Sequence, residues 1–294
     1  MAPFKIHSPE TLRSCVVFAS PHSGKEYPKS FLAKTMLDHL TIRSSEDAFV
    51  DELFDSAPKY GAPLISAVLP RAYIDLNRSH SDLDPAIIEG VQQNQHNPRV
   101  AVGLGVIPRV VANGHPIYTK KISRFEADKR IKKYWYPYHA TLQNLLTESQ
   151  KKFGQVILID CHSMPHEAIK DINNTVKSNP VKSNPVKSNP DIVLGDRFGR
   201  SANGEIVDLI EAAFSQVGFT ITRNSPFAGA YTSQEYGHPF QYRHVIQVEI
   251  DRSIYMNEER IVKNADFETV HRAIEMAIAA IVQINVAKHQ LIAE

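Results

Sequence analysis

Strand-like aliphatic runs alternate with segments of helical spacing along this chain, and this alternation restricts its fold more than any other feature. The strand-like runs cover about 14–20, 64–68, 156–159, 219–222 and 245–251. Apolar residues recur at helical spacing over about 44–61, 124–152, 204–217 and 266–286. Pro137 is expected to kink or divide the second of these helical segments. Regular alternation of this kind favours an α/β architecture, in which helices pack against a sheet.

A histidine follows two of the strand-like runs directly. His22 stands in Ser-Pro-His-Ser-Gly at 20–24, and His162 stands in Asp-Cys-His-Ser-Met at 160–164. Because α/β folds place their sites at the carboxyl ends of strands, both imidazoles are expected at one edge of the sheet. Either histidine alone would also suit a simple turn. Together they indicate a zinc site, which needs three protein ligands and keeps one position for water.

The third ligand of such a site should be a carboxylate or another imidazole. Glu46 and Asp47 are the nearest candidates, at the start of the helix expected over 44–61. Acids are also ordinary in a first helical turn, and two neighbours on a helix point about 100° apart, so only one of the pair is expected to bind metal. His139 lies in an amphipathic helical segment and is expected to be a surface or packing residue.

Glu249 is the candidate general base. Alternation in the run 245–251 places it on the face opposite to Val248 and Ile250. A carboxylate in a largely apolar strand needs a partner or a function. As a base it would take a proton from zinc-bound water and return it to a leaving amine. The alternative is a buried ion pair with Arg243 or Arg252.

Alternation over 71–78 gathers Arg71, Asp75 and Asn77 on one face, with Arg78 next to Asn77. A guanidinium binds a carboxylate through two parallel hydrogen bonds. Arg71 and Arg78, on either side of Asn77, would therefore suit a small acidic substrate. The alternative is structural pairing of either arginine with Asp75 or another nearby acid.

Irregular segments interrupt the pattern of strands and helices. Residues 82–119 are rich in Gly, Pro and Asn and form a long excursion, and a later Gly-containing region carries Tyr231 and His238, which could cover the site. The sequence Val-Lys-Ser-Asn-Pro occurs three times in tandem at 176–190. Because a proline every five residues is incompatible with a helix, a mobile surface loop is expected there.

The composition excludes several kinds of partner. The chain has 33 basic and 32 acidic residues, so neither nucleic acid nor an anionic membrane is expected as a partner. Its most apolar long segment, 274–287, is interrupted by Glu275 and falls short of the roughly 18 uninterrupted residues of a membrane span. Cys15 and Cys161 lie in apolar runs, as buried thiols of a reduced compartment would. With no signal peptide visible, a cytoplasmic protein is expected, and its oligomeric state is left open.

Five short motifs, in their order and spacing, resemble the N-formylglutamate amidohydrolase (deformylase) family. They are Pro-His-Ser-Gly at 21–24, Glu-Asp-x-x-Val-Asp at 46–51, Ile-Asp-Leu-Asn-Arg at 74–78, Asp-Cys-His-Ser-Met at 160–164 and Gln-Val-Glu-Ile-Asp-Arg at 247–252. The resemblance spans most of the chain. It implies a single domain over 1–294 with a three-layer α/β/α fold around a central mixed sheet. That fold is similar to the zinc-dependent carboxypeptidases, the phosphorylase/hydrolase-like architecture.

The resemblance also implies roles for the candidate residues. The metal ligands that it implies are His22, Asp47 and His162. Asp47 is preferred to Glu46 because it falls where the acidic position of the family lies. Glu249 matches the general base, and Asn77 with Arg78 is similar to the pair that carboxypeptidase-like sites use for a substrate carboxylate.

The reaction that the resemblance implies is hydrolysis of N-formyl-L-glutamate to formate and L-glutamate, in histidine breakdown. Zn²⁺ is the expected cofactor, although the same ligands suit other divalent metals. One alternative is a related metal amidohydrolase or a carboxypeptidase-like peptidase that acts on another N-acyl amino acid. A second alternative is a non-catalytic small-molecule binding protein with the same fold. The sequence chooses neither the acyl specificity nor which arginine meets which carboxylate.

Overall fold

A mixed seven-stranded sheet forms the centre of the computed structural model, which describes residues 2–92, 97–170 and 189–284. The strands are β1 (Phe4–His7), β2 (Val16–Ser20), β3 (Leu64–Ala67), β4 (Val156–Met164), β5 (Ile192–Gly195), β6 (Ile221–Arg223) and β7 (Arg243–Asp251). Their order across the sheet is β1-β3-β2-β4-β7-β5-β6. Strands β3, β2, β4 and β7 run parallel to one another, whereas β1 is antiparallel to β3 and β5 to β7. The carboxyl ends of the four central strands therefore meet at one edge.

Helices cover both faces of this sheet. They are α1 (Lys29–Leu32), α2 (His39–Arg43), α3 (Val50–Leu53), α4 (Pro98–Ala101), α5 (Arg124–Arg130), α6 (Tyr136–Phe153), α7 (Gly204–Gln216), α8 (Tyr231–Tyr236) and α9 (Phe267–Ile281). Buried side chains of α3, α7 and α9 share one hydrophobic core with the sheet. Those of α5 and α6 share a second core with the opposite face. The expected α/β/α arrangement of layers around a mixed sheet is confirmed. A two-stranded ribbon, β8 (Met256–Asn257) with β9 (Val262–Lys263), lies apart from the main sheet.

The two central strands β4 and β7 explain where a site can form. Cys161 and Val248 point into the core shared with α7 and α9, and Leu158 and Val245 point into the other core. Both faces are therefore apolar along most of each strand, as parallel strands between helix layers require. Toward the carboxyl ends, the second face changes from apolar to polar. The polar side chains there are Asp160, His162, Gln247 and Glu249.

Two sequence-based expectations are wrong: the segment 71–78 forms turns instead of the regular alternation of a strand, and the segment 44–61 is not one helix. A helix was expected over 44–61, but α2 ends at Arg43 and the chain turns before α3 begins at Val50. Phe49 adopts a left-handed backbone with φ 66°, which a continuous right-handed helix does not contain. The segment closes with a 3₁₀ turn at Ala57–Tyr60 and then Gly61, whose φ of 88° ends it. Glu46 and Asp47 consequently lie in a turn, outside any helix.

Other expectations are met in the described residues. A π-helical segment, Ile131–Trp135, separates α5 from α6 just before Pro137, which lies in the first turn of α6. Helix α9 begins as expected, whereas its expected end near 286 lies outside the described residues, as do positions 176–188 of the tandem repeat.

The structure also contains two strands, β1 and β5, that were not expected from the sequence. No helix in the described part of the chain is long and apolar enough to cross a membrane.

The candidate metal centre and its cavity

A cavity of about 640 Å³ opens at the carboxyl edge of the central strands. His22 enters it from the turn after β2, His162 from the end of β4, and Glu249 from the end of β7. The turn after β2 depends on Gly24, because a Cβ at this position would lie 2.1 Å from the backbone oxygen of Leu69. Only glycine allows the chain that carries His22 to pack this closely against the segment after β3.

His22, Asp47 and His162 form a group that could bind a metal ion. All three are at most 3% exposed, and their ligand atoms lie within 4.8 Å of one another. Asp47 Oδ2 lies 3.0 Å from His162 Nδ1 and 3.3 Å from His22 Nδ1. The turn that carries Asp47 is fixed by its backbone N–H, which donates to the carbonyl of His22. The structure thus brings Asp47 and His162, which are 115 positions apart in the chain, within hydrogen-bond distance of each other.

A second carboxylate holds the far side of each imidazole. His22 Nε2 donates to Asp75 Oδ1 over 2.7 Å, and His162 Nε2 lies 3.1 Å from Asp160 Oδ2. A carboxylate behind a histidine in this way orients the ring and makes its other nitrogen a better metal ligand. His22 Nδ1, the nitrogen left over, is buried and has no hydrogen-bond partner among the described residues. A cation beside Asp47 would satisfy this atom, so the residues fit a metal ion.

The charges around the ligand group also favour a bound cation. Burial by itself would raise the pKa of Asp47, but the hydrogen bond with His162 and the charge of the adjacent His22 imidazole outweigh it and lower the pKa well below its usual range. Burial would likewise lower the pKa of His162, yet the neighbouring charge of Asp160 raises that pKa well above its usual range. The buried acids therefore favour positive charge at the imidazoles, which is the electrostatic condition for holding a cation.

Asp47, rather than Glu46, faces the two histidines. Glu46 instead pairs with Arg43 at 3.0 Å and accepts a hydrogen bond of 2.7 Å from the Tyr27 hydroxyl. The second oxygen of Asp47 accepts a hydrogen bond of 3.0 Å from Arg252 Nη2. Arg252 therefore fixes the orientation of Asp47 and leaves Oδ2 directed at the imidazoles.

Glu249 is paired in register with His162 across β4 and β7. Its side chain lines the cavity and is 8% exposed, and burial raises its pKa to about 7. Gln247 Nε2 donates to its Oε1 over 2.7 Å. The alternative of an ion pair with Arg243 or Arg252 is not seen, since neither forms one with Glu249 in the described structure.

Arg71 and Arg78 both line the cavity but differ in their partners. Arg71 Nη2 pairs with Asp75 Oδ2 at 2.9 Å, which is the structural alternative considered above. Arg78 is 7% exposed, and within the described structure it donates only to backbone carbonyls, to Leu104 through Nε and to Asn77 through Nη1. Burial lowers the pKa of Arg78 to about 10. Among the described residues, no carboxylate forms an ion pair with Arg78.

Three other candidates have structural contacts. The side chain of Asn77 lines the cavity, but its Nδ2 donates to Asp160 Oδ2 over 3.1 Å and its Oδ1 accepts from the Thr232 N–H over 2.7 Å. Tyr231 and His238 are not among the residues that line the cavity. Tyr231 packs against Trp135, and His238 is exposed, with its ring 3.0 Å from the carbonyl of Glu235. The structure thus does not bring these two residues to the site.

His139 is a packing residue, as expected. It is buried, its Nε2 lies 2.9 Å from the carbonyl oxygen of Leu76, and its Nδ1 lies 2.8 Å from the Tyr236 hydroxyl. Burial lowers the pKa of His139 to about 3. It therefore has no part in the metal centre.

Comparison with known proteins agrees with this geometry. The family model for N-formylglutamate amidohydrolase matches residues 14–256. A solved structure, N-formylglutamate amidohydrolase from Ralstonia eutropha JMP134, is 34% identical and superposes with a TM-score of 0.85, over 97% of this chain and 99% of that one. The chain belongs to the N-formylglutamate amidohydrolase family. The resemblance seen in the five motifs is confirmed.

More distant members and neighbours of the N-formylglutamate amidohydrolase family are also similar. The N-formylglutamate deformylase of Pseudomonas putida is 24% identical over 83% of this chain and 82% of that protein. The enzyme of the same name from Pseudomonas aeruginosa is 24% identical over 88% of this chain and 89% of that protein. A structure from Agrobacterium tumefaciens shares the fold, with a TM-score of 0.61 and 15% identity over 95% of each chain.

For four residues that shape the site, the sequence did not indicate the contact that each one makes. They are Asp75 and Asp160 behind the imidazoles, Arg252 beside Asp47, and Gln247 beside Glu249. Asp160 and Gln247 could have been found, because each stands two residues before a candidate on a strand and so shares its face. Asp75 and Arg252 could not, because their contacts cross 53 and 205 positions of the chain.

Proposed function

We propose that this chain hydrolyses the amide bond of N-formyl-L-glutamate to formate and L-glutamate, with a metal ion held by His22, Asp47 and His162. The observation that carries the proposal is the buried ligand group, with an unpartnered nitrogen on His22, beside the buried carboxylate of Glu249. The names of the relatives supply the substrate. We further propose that the reaction serves histidine breakdown in the cytoplasm, where the free thiols of Cys15 and Cys161 would stay reduced.

Zinc is the first choice of metal. Two imidazoles and one carboxylate are a common ligand set of catalytic zinc, and cobalt, manganese or iron are the other candidates. When bound, a divalent cation supplies Lewis acidity to the amide carbonyl and to the attacking water. Asp75 and Asp160 hold the two rings in the orientation that exposes Nδ1, and Arg252 holds Asp47.

Glu249 moves the protons of the reaction. It takes a proton from the attacking water as the carbon–oxygen bond forms, and it delivers that proton to the amide nitrogen as the carbon–nitrogen bond breaks. Formate and the amine of glutamate are the products. A carboxyl group whose pKa is about 7 is suited to both steps, since a base and acid of this strength changes protonation state near neutral pH.

Arg78 is the proposed anchor for a carboxylate of the substrate. A buried guanidinium that has no counter-ion is stabilised strongly when an anion binds to it. Backbone carbonyls already orient two nitrogens of Arg78. Arg71 also faces the cavity and can approach the second carboxylate, although it shares its charge with Asp75. Asn77, whose amide is engaged by Asp160 and Thr232, acts by positioning this wall of the cavity.

Release of L-glutamate from a panel of N-acyl-L-glutamates tests the proposal. N-formyl-L-glutamate should be hydrolysed with a higher kcat/KM than N-acetyl-L-glutamate, N-succinyl-L-glutamate or a glutamyl dipeptide. A preference for another acyl group would indicate a related amidohydrolase or peptidase. Binding of N-formyl-L-glutamate by the metal-loaded protein without any turnover would contradict the proposal and favour a binding protein.

A further inference from the structure

Gln247 presents a buried hydrogen-bond acceptor for which the described residues supply no donor. Its side chain lines the cavity and is 3% exposed. Its Nε2 donates to Glu249 Oε1 over 2.7 Å, which fixes the amide and leaves Oε1 as the free end. Oε1 has no hydrogen-bond partner among the residues that the structure describes. A buried carbonyl without a donor is costly, and a bound ligand that offers one would remove this cost.

The neighbours of Gln247 explain why this acceptor stays unpaired. Gln247 and Glu249 share one face of β7, and their register partners on β4 are Asp160 and His162. Asp160 has only acceptor oxygens when ionised, so it cannot satisfy Oε1. Nearby Asn77 already donates through Nδ2 to Asp160. In the described part of the chain, Oε1 therefore faces the cavity with no donor within hydrogen-bond distance.

We propose that Gln247 Oε1 accepts the N–H of the scissile formamide, an inference that rests on the proposed function. This nitrogen is the atom to which Glu249 delivers its proton. Gln247 would then hold two groups at once: its Oε1 accepts from the substrate nitrogen, and its Nε2 donates to Glu249. The proton carrier and the leaving group are thus held side by side. When the carbon–nitrogen bond breaks and the nitrogen gains a proton, Oε1 still accepts one of the hydrogens of the amine.

This contact makes the site selective for secondary amides, which are N-formyl derivatives of primary amines. A formate ester of the same shape carries an oxygen where the amide carries N–H. Two acceptors would then face each other, and the buried Oε1 would stay unpaired. Sites that hydrogen-bond one group of a substrate discriminate strongly against an analogue that lacks this group.

The test compares N-formyl-L-glutamate with its isosteric ester, (S)-2-formyloxyglutarate. The ratio of kcat/KM for the amide to kcat/KM for the ester is measured in the unmodified enzyme, in Gln247→Leu and in Gln247→Met. We expect this ratio to fall about 10- to 100-fold in both variants, the effect of one buried hydrogen bond. Because the amide depends more than the ester on proton delivery by Glu249, the same ratio is also measured in Glu249→Asp, which keeps Gln247. A fall in the Gln247 variants beyond the fall in Glu249→Asp reports the contact with the N–H, and no further fall would overturn the inference.

Gln155→Leu is the matched control, since Gln155 is also buried but does not line the cavity. In Gln155→Leu, the ratio of kcat/KM for the amide to kcat/KM for the ester should equal that of the unmodified enzyme. A ratio that is also unchanged in both Gln247 variants, with both rates lowered equally, would assign Gln247 a structural role and overturn the inference.

A second measurement needs only the unmodified protein. The enzyme should favour the amide over the ester more strongly than hydroxide in solution does. Release of formate from N-formyl-L-glutamate with equal acceleration of the two substrates relative to hydroxide would contradict the inference, whereas the hydrolysis of N-formyl-L-glutamate itself would stand. No formate from either substrate would contradict the proposed function, and the inference with it.

Discussion

His162 on β4 and His139 on α6 are almost equally buried, with 3% and 5% of their surface exposed, but their surroundings differ completely. Asp47 and Asp160 flank His162, whose pKa is raised well above its usual range despite burial. His139 lies against Trp135 and Tyr236, where burial lowers its pKa to about 3. Burial alone thus removes positive charge from a histidine, and nearby carboxylates restore it.

The comparison separates two uses of one residue type in a single fold. The edge of the sheet collects carboxylates behind imidazoles, which suits a metal ion. The layer around α6 collects aromatic rings and one backbone carbonyl, which suits a neutral packing histidine. The function of each histidine is therefore decided by its neighbours.

The largest expected difference comes from removing each histidine in turn. His162→Ala should lose the metal and reduce formate release at least about 1,000-fold, because metal catalysis contributes several kcal/mol to the barrier. His139→Phe should keep the metal and the turnover, but should lower the free energy of unfolding by about 1–3 kcal/mol because Leu76 O and the Tyr236 hydroxyl lose a partner. Metal analysis, formate release and urea unfolding on both variants check this. Equal loss of metal in the two variants would contradict the different roles assigned to His162 and His139.

Glu249→Gln should reduce kcat about 10²- to 10⁴-fold, the usual contribution of a general acid–base group. The variant keeps the shape of the side chain and does not alter the three ligands, so its metal content should stay at the level of the unmodified enzyme. Near-normal formate release by this variant would remove Glu249 from the proposed mechanism.

Asp75→Asn tests the carboxylate behind His22. Loss of such an outer partner typically weakens metal affinity 10- to 100-fold, so the variant should need about that much more free zinc for half-maximal activity. Titration with buffered zinc measures this. His271, which pairs with Asp55 at the surface, offers a control: Asp55→Asn should leave the zinc requirement unchanged.

The smallest expected effect concerns pH and stability. The pKa of His139 is about 3 in the folded protein and about 6.5 in an unfolded chain, so the unfolded chain binds more protons between these values. Its contribution to stability is complete above pH 6.5 and is lost as the pH falls, at about 1.4 kcal/mol per pH unit. Urea unfolding at pH 7 and pH 5 should show a weaker pH dependence for His139→Phe than for the unmodified protein. Identical dependence would mean that His139 is not held neutral.

The parts of the site that lie on strands could be predicted from the sequence. Alternation along a strand is a local property, so the positions of His162 and Glu249 followed from the runs that carry them. Asp47, which faces the two histidines, was preferred to Glu46 only through the family motif, because the reasoning from a helix over 44–61 was wrong. A left-handed residue such as Phe49 is set by tertiary packing, and helical spacing of apolar residues does not reveal it.

The rest of the site depends on contacts between distant segments. Asp75 reaches His22, Arg252 reaches Asp47, and both contacts join elements that only the folded sheet brings together. The excursion over 82–119 and the region of Tyr231 and His238 were the least predictable. Composition indicates irregular backbone there but not which side chains face the cavity.

The most direct test of the metal centre measures metal and turnover on the same sample. The purified protein should contain about one zinc or similar divalent ion per chain, should stop releasing formate from N-formyl-L-glutamate when a chelator removes the ion, and should recover when zinc is returned. The variants His22→Ala and His162→Ala should not recover. Full activity in protein shown to be free of metal would contradict the assignment of His22, Asp47 and His162 as a catalytic metal site.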